Sequence, residues 1–215
     1  MQKVKLLFGE LPKSVQIDGS EYLINWGFRT FILIEALLFN PSISDEEKTI
    51  RCLTAFYGDR IPRNVEVALQ KLLWFYSCGK QEDIREAGEE EQEEANQKRC
   101  YDFTQDSDYI VSAFRTQYGI DLADSSCKLH WWTFRALMIG LNDDLQFTKI
   151  MYYRMASTKG MSKEQKKFIA KMRKKYALKD ETTAKQKLSL AERDARWRAK
   201  VEQKMKKLEE KKNGS

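Results

Sequence analysis

The stretch YDFTQDSDYIVSAFRTQYGIDLADSSCKLHWWTFRALMIGL, residues 101–141, decides the fold. Its apolar residues recur at helical rather than alternating intervals, so Phe103, Ile110, Phe114 and Tyr118 share one face of a helix over roughly 104–118. Beyond Gly119, a second helix over roughly 126–140 carries Leu129, Trp132, Leu137 and Leu141 on a face suited to pack against the first. Adjacent positions on a helix point about 100° apart, so Trp131 and Trp132 cannot face the same way. One of them, Trp131, is a candidate partner-binding residue, with burial of both inside the chain as the equal alternative.

Working outward toward the amino terminus, Asp18-Gly19 in VQIDGSEYLINW supplies the positive-φ pair of a two-residue hairpin turn. FRTFILIEALLF, residues 28–39, is apolar nearly all round and belongs in a core, with Arg29 and Glu35 at its edges. Ser44 and Glu47 have capping-box spacing, and the helix they open runs to Tyr57 and stops at Gly58. A further helix follows Pro62, sends Val65, Leu69, Leu72, Leu73 and Phe75 inward, and ends by Gly79.

Toward the carboxy terminus, a third apolar-periodic segment covers roughly 144–156. Ser162 and Gln165 open a helix that continues to Leu178. KDETTAKQK is a polar hinge, and Ser189 with Glu192 starts a last, highly charged helix ending by Asn213 and Gly214. The fold class is therefore mainly α: a body of six to eight helices with a small amino-terminal β-hairpin and a long basic carboxy-terminal helix. Its divisions are 1–79 (hairpin plus helices), 80–99 (acidic linker), 100–179 (second helical half) and 180–215 (basic tail).

Charge separates along the chain. Residues 158–215 hold 20 Lys+Arg and 8 Asp+Glu, a net of +12, while the preceding 157 hold 18 and 24, a net of −6. Residues 81–94 contain eight acidic residues against Arg85 alone and have no apolar face to bury, which reads as a solvated linker. The amino terminus has no apolar region of signal-peptide length, and FILIEALLF is too short to span a bilayer, so a soluble chain is expected. The cysteines at 52, 78, 100 and 127 form no CxxC pair and read as buried free thiols of a reducing compartment.

Catalytic patterns are missing. His130 is the single histidine and lies among Leu129, Trp131, Trp132, Phe134 and Leu137, the setting of a hydrogen-bonded packing residue rather than a base. The ten glycines form no phosphate-binding loop. Asp102, Asp106, Asp108, Asp121 and Asp124 raise the question of a divalent cation but lack the regularity of an EF-hand, and helix capping accounts for most of them. No enzyme, cofactor or metal site is expected.

The same stretch resembles the bacteriophage gene-product-fifteen family. The resemblance is carried by Tyr101-Asp102-Phe103, Asp106, Ile110, Ala113-Phe114, Tyr118, Ile120-Asp121-Leu122, Leu129-His130-Trp131-Trp132, Phe134 and Gly140-Leu141, and with the hairpin-helix order upstream it covers about residues 2–180. Tyr101, Phe103, Phe114, Tyr118, Leu129, His130, Trp132 and Phe134 are its structural core. It implies a protein of phage tail assembly in the host bacterial cytoplasm: a chaperone of the helical tape-measure protein, or a structural tail component that stays with the virion. It implies no catalytic residues.

Two roles stay open for the tail. Leu190, Trp197, Val201, Met205 and Leu208 draw a narrow apolar stripe on a charged helix, which suits one partner helix. That partner is the body, another copy, or a tape-measure-like client. The alternative is nucleic acid, with Trp197 among Arg193, Arg196 and Arg198 neutralising phosphates and stacking a base.

Overall fold

A computed structural model describes residues 9–40, 42–80 and 100–178. The chain forms two compact units. In described residues, the first is 9–80 with 128–139 and the second 100–127 with 140–178. Among the described residues there are seven helices and one two-stranded sheet. The carboxy-terminal helix expected after Ser189, the acidic stretch 81–94 and the hinge lie outside the described residues.

The first unit begins with strands β1 (Ser14–Ile17) and β2 (Ser20–Leu23), paired antiparallel with Ile17 opposite Ser20. Asp18 at φ 49° and Gly19 at φ 78° make the turn, the pair of positive values that a two-residue hairpin of this kind requires. Val15 and Ile17 alternate inward. Helices α1 (Phe28–Phe39), α2 (Asp45–Tyr57) and α3 (Val65–Tyr76) follow. Ser44 caps α2 by accepting from the Glu47 amide at 3.2 Å, and Asn64 caps α3 by accepting from Val67 at 3.3 Å.

Helix α5 (Trp131–Ile139), though it follows the acidic stretch, belongs to this first unit. Phe31 is the hub of its aromatic core. Its ring lies 5.1 Å from Phe75, 5.1 Å from Trp131 and 5.8 Å from Phe56, while Phe28 stacks on Phe134 at 5.1 Å.

Two expectations about this unit change. Glu35 does not find an edge: it is 4% exposed and accepts a 2.9 Å hydrogen bond from the Tyr76 hydroxyl, which lets a carboxyl group sit in an aromatic core. Val65, expected inward, is exposed because it occupies the first position of α3, before the buried Ala68–Leu69–Leu72 face begins.

The second unit contains α4 (Ser107–Tyr118), α6 (Gln146–Met155) and α7 (Lys163–Lys175). Gly119 ends α4 in the left-handed region at φ 68°, where glycine meets no Cβ penalty. Ser162 and Gln165 form a full capping box at the start of α7. The helix stops at Lys175 rather than running to Leu178, because its end is tied down. Arg154 on α6 donates to the carbonyl oxygen of Tyr176 at 2.7 Å and to that of Cys100 at 2.9 Å.

The same guanidinium makes a two-pronged pair with Asp106, at 2.6 and 2.9 Å, with both side chains buried. Asp106 stands at the cap position of α4, but its carboxylate does not cap that helix. It accepts from Arg154 and from the Asp102 amide at 2.9 Å instead. Asp102 in turn accepts from Thr104 and Gln105, and Asp121 and Asp124 accept from Ala123 and Ser126, so four of the five aspartates build turns or the ion pair.

Removing one member of a buried ion pair strands the other without solvent. Asp106→Ala should therefore destabilise the second unit by about 3–5 kcal/mol, read as a lower urea midpoint. An unchanged midpoint would show that Arg154 is held by its carbonyl partners alone.

Candidate functional site

The tryptophan pair resolves against a surface role. Trp131 is 0% and Trp132 1% exposed, so Trp131 is not an exposed partner-binding residue of this chain. Both indoles turn toward the end of α3, where the Tyr76 carbonyl lies beyond the reach of the helix's own donors and the Phe75 carbonyl, which accepts from Cys78 N, keeps a second lone pair. Trp131 Nε1 donates to the carbonyl of Tyr76 at 3.0 Å, and Trp132 Nε1 to that of Phe75 at 2.7 Å. Divergent side chains on α5 thus reach two consecutive acceptors. Trp132 takes its packing partners from α3, with Phe75 at 5.4 Å and Trp74 at 5.6 Å, instead of the face of α4 expected from periodicity.

The end of α3 is a Schellman motif. Gly79 N donates to Trp74 O at 2.9 Å and Cys78 N to Phe75 O at 3.0 Å. Cys78 holds the left-handed position at φ 57° without being glycine. Gly79 has φ 73°, and a Cβ there would come within 3.0 Å of Trp132 Cη2. The indole lies on the glycine.

His130 fixes the start of α5. Its Nδ1 accepts from the Trp132 amide at 3.1 Å, so Nε2 carries the proton and donates to the Pro12 carbonyl at 3.1 Å. The ring stacks on Trp26 at 5.6 Å. Around it the backbones pair: Phe28 N donates to Leu129 O at 3.0 Å and Trp131 N to Trp26 O at 2.9 Å. Burial, the largest effect, and nearby Lys13 hold the His130 pKa below its ordinary 6.5, against the opposing bond to Pro12. This is a packing histidine with both nitrogens occupied by structure.

Of the remaining residues named from sequence, Phe103, Phe114 and Phe134 are buried, and Tyr101, Tyr118 and Leu129 are partly so. Tyr101 packs against Phe103 at 5.1 Å and Phe147 at 6.2 Å. Trp197, Val201, Met205 and Leu208 lie outside the described residues. Of the four free cysteines only Cys52 is buried, its thiol pushed up to about 12 by desolvation; the other three are partly exposed.

The surface that sequence reading missed lies within the second unit, between α6 and α7. A groove of about 780 Å³ is lined by Tyr152, Tyr153, Met161, Phe168 and Ile169. Tyr152 is 54% and Phe168 50% exposed, so two large rings stand in water at its sides. Tyr153 links them: its ring is 5.9 Å from each, and it also stacks on Tyr176 at 6.2 Å. Arg173 of α7 ties the two walls together by donating to the carbonyls of Tyr153 and Ala156 at the end of α6. Asp143, Lys149 and Glu164 also border the groove. The arrangement offers a concave aromatic surface, which suits binding of an apolar segment.

Among the described residues, no cluster of three or more His, Cys, Asp or Glu is placed to hold a metal ion, and no helix is long and apolar enough to cross a membrane. The family model described as Bacteriophage Gp15 protein matches residues 7–178. No curated protein and no solved structure matches the chain.

Two measurements check the α3–α5 junction. Because the folded state holds His130 neutral, its contribution to stability is complete above about pH 6.5 and is lost as pH falls through the depressed folded value. Wild type should lose stability between pH 7 and pH 5 more steeply than His130→Asn, which keeps a cap acceptor but does not titrate. Gly79→Ala should cost about 2 kcal/mol or more, since it combines a left-handed backbone with a collision against Trp132. A stability within ~0.5 kcal/mol of wild type would contradict that packing.

Proposed function

Since the match over residues 7–178 makes this chain a member of the Bacteriophage Gp15 protein family, and so a bacteriophage protein, we propose that it is a tail-assembly chaperone. It holds the tape-measure protein in the host cytoplasm while the tail is built. The observation that carries this reading is the α6–α7 groove with Tyr152 and Phe168 exposed at its sides. A long helical client presents apolar stripes to water before assembly, and an aromatic groove covers such a stripe by desolvating it. Catalysis has no part in this role. The single histidine is committed to Trp132 and Pro12, and the groove acts by shape and apolar area.

The sequence stripe of Trp197, Val201, Met205 and Leu208 supplies a second seam for the same client.

Co-expression with the tape-measure protein, followed by pull-down, tests the assignment. The double variant Tyr152→Ser with Phe168→Ser should fold normally, because both rings are half in water, yet lose client affinity by roughly 30-fold or more, the scale of one lost aromatic anchor. Undiminished capture by the folded double variant would exclude the groove as the client site.

A further inference from the structure

We infer that the α6–α7 groove selects a partner helix whose apolar stripe is flanked by carboxylates, which lie along a row of lysines on α7. The inference rests on the groove being the client site and adds the client's chemistry. Helix α7 carries seven basic residues and one acidic residue, Glu164, in 13 positions. Its only fully buried residue is Ile169. Arg173 is engaged with the end of α6, which leaves six lysines.

Lys163, Lys167, Lys171 and Lys174 recur at spacings of four, four and three, so they stack in one exposed row about 16 Å long. Phe168 sits beside that row, three positions before Lys171. The apolar wall of the groove and the line of positive charge are therefore adjacent strips of a single helix. A row of like charges with no ion pair among the described residues repels itself, and a carboxylate-bearing edge laid against it relieves that repulsion.

Phosphates are the competing source of negative charge. They fit less well, because Asp143 and Glu164 both border the groove and would face a continuous phosphate backbone laid along it. A helix can set cations opposite those two carboxylates and still keep its acidic edge on the lysines. Tyr152 and Phe168 then cover the apolar stripe between.

The test uses the purified full chain and two fluorescent amphipathic helical peptides with the same apolar stripe, flanked in one by Glu and in the other by Lys. The Glu-flanked peptide should bind about tenfold tighter by anisotropy, the sum of a few rim charge pairs, and its affinity should fall with added salt. Lys167→Glu, Lys171→Glu and Lys174→Glu together should reverse the preference, whereas Tyr152→Ser with Phe168→Ser should weaken both peptides.

Equal affinity of wild type for the two peptides, or a preference for the Lys-flanked one, overturns the inference even if the triple variant fails to fold. So does duplex DNA that binds more tightly than either peptide and survives the Tyr152→Ser, Phe168→Ser change. Capture of the tape-measure protein unaffected by the lysine reversals would leave the chaperone reading standing and remove this one. Clean discrimination between the peptides without capture of that client would do the opposite.

Discussion

An α-helix leaves the carbonyls of its last turn without partners in its own backbone, and a helix that ends inside a protein must be given donors from elsewhere. Both units are organised around that requirement. In the first, the Trp131 indole supplies the donor for the Tyr76 carbonyl, and the Trp132 indole adds a second donor to the Phe75 carbonyl, which also accepts from Cys78 N. In the second, Arg173 serves the end of α6 and Arg154 the segment closing α7. Each such bond contributes only about 0.5–1.5 kcal/mol net, but leaving a buried acceptor empty costs about 1–3 kcal/mol. The donors therefore act chiefly by exclusion: they make arrangements that strand those carbonyls unfavourable, and so specify which segment closes which helix.

What the sequence made legible was local. Ser44, Ser162 and the Asp18-Gly19 pair act within three or four residues of themselves, and all three stand where spacing put them. The packing role of His130 was legible for the same reason, since its apolar neighbours are adjacent in sequence. Pairings across long separations were not. Glu35 reaches Tyr76 over 41 residues and Arg154 reaches Asp106 over 48, and neither periodicity nor charge count says which of many acidic and basic residues will meet. The helix of Trp131 and Trp132 was legible as a helix, but its buried residues are Trp131, Trp132, Phe134 and Met138, with Leu129 and Leu137 half-buried, and its partner was misplaced, because an apolar face does not name the surface it covers.

The groove escaped notice for a related reason. Tyr152, Tyr153 and Phe168 look like core residues in sequence, and only the packing of α6 beside α7 shows that two of them stand half in water. Exposed aromatic area is costly to maintain and prone to non-specific association, so its presence beside a lysine-rich helix has a physical use. On the reading proposed above, the lysines would keep the surface hydrated while the rings stay open to a client with the complementary edge.

The placement of α5 has a temporal side. The first unit draws its last described helix from residues 131–139, within the segment 128–139, although the described residues before that segment end at Lys80. On the ribosome, the aromatic faces around Phe31 and Phe75 therefore wait for roughly sixty further residues, about 3–12 s at bacterial elongation rates of ~5–20 residues per second. Synthesis of residues 100–127 falls inside that interval, so the amino-terminal part of the chain cannot finish folding first. A nascent chain with unfinished apolar faces faces the same hazard as the client proposed for the mature protein, and the order of its own translation prolongs it.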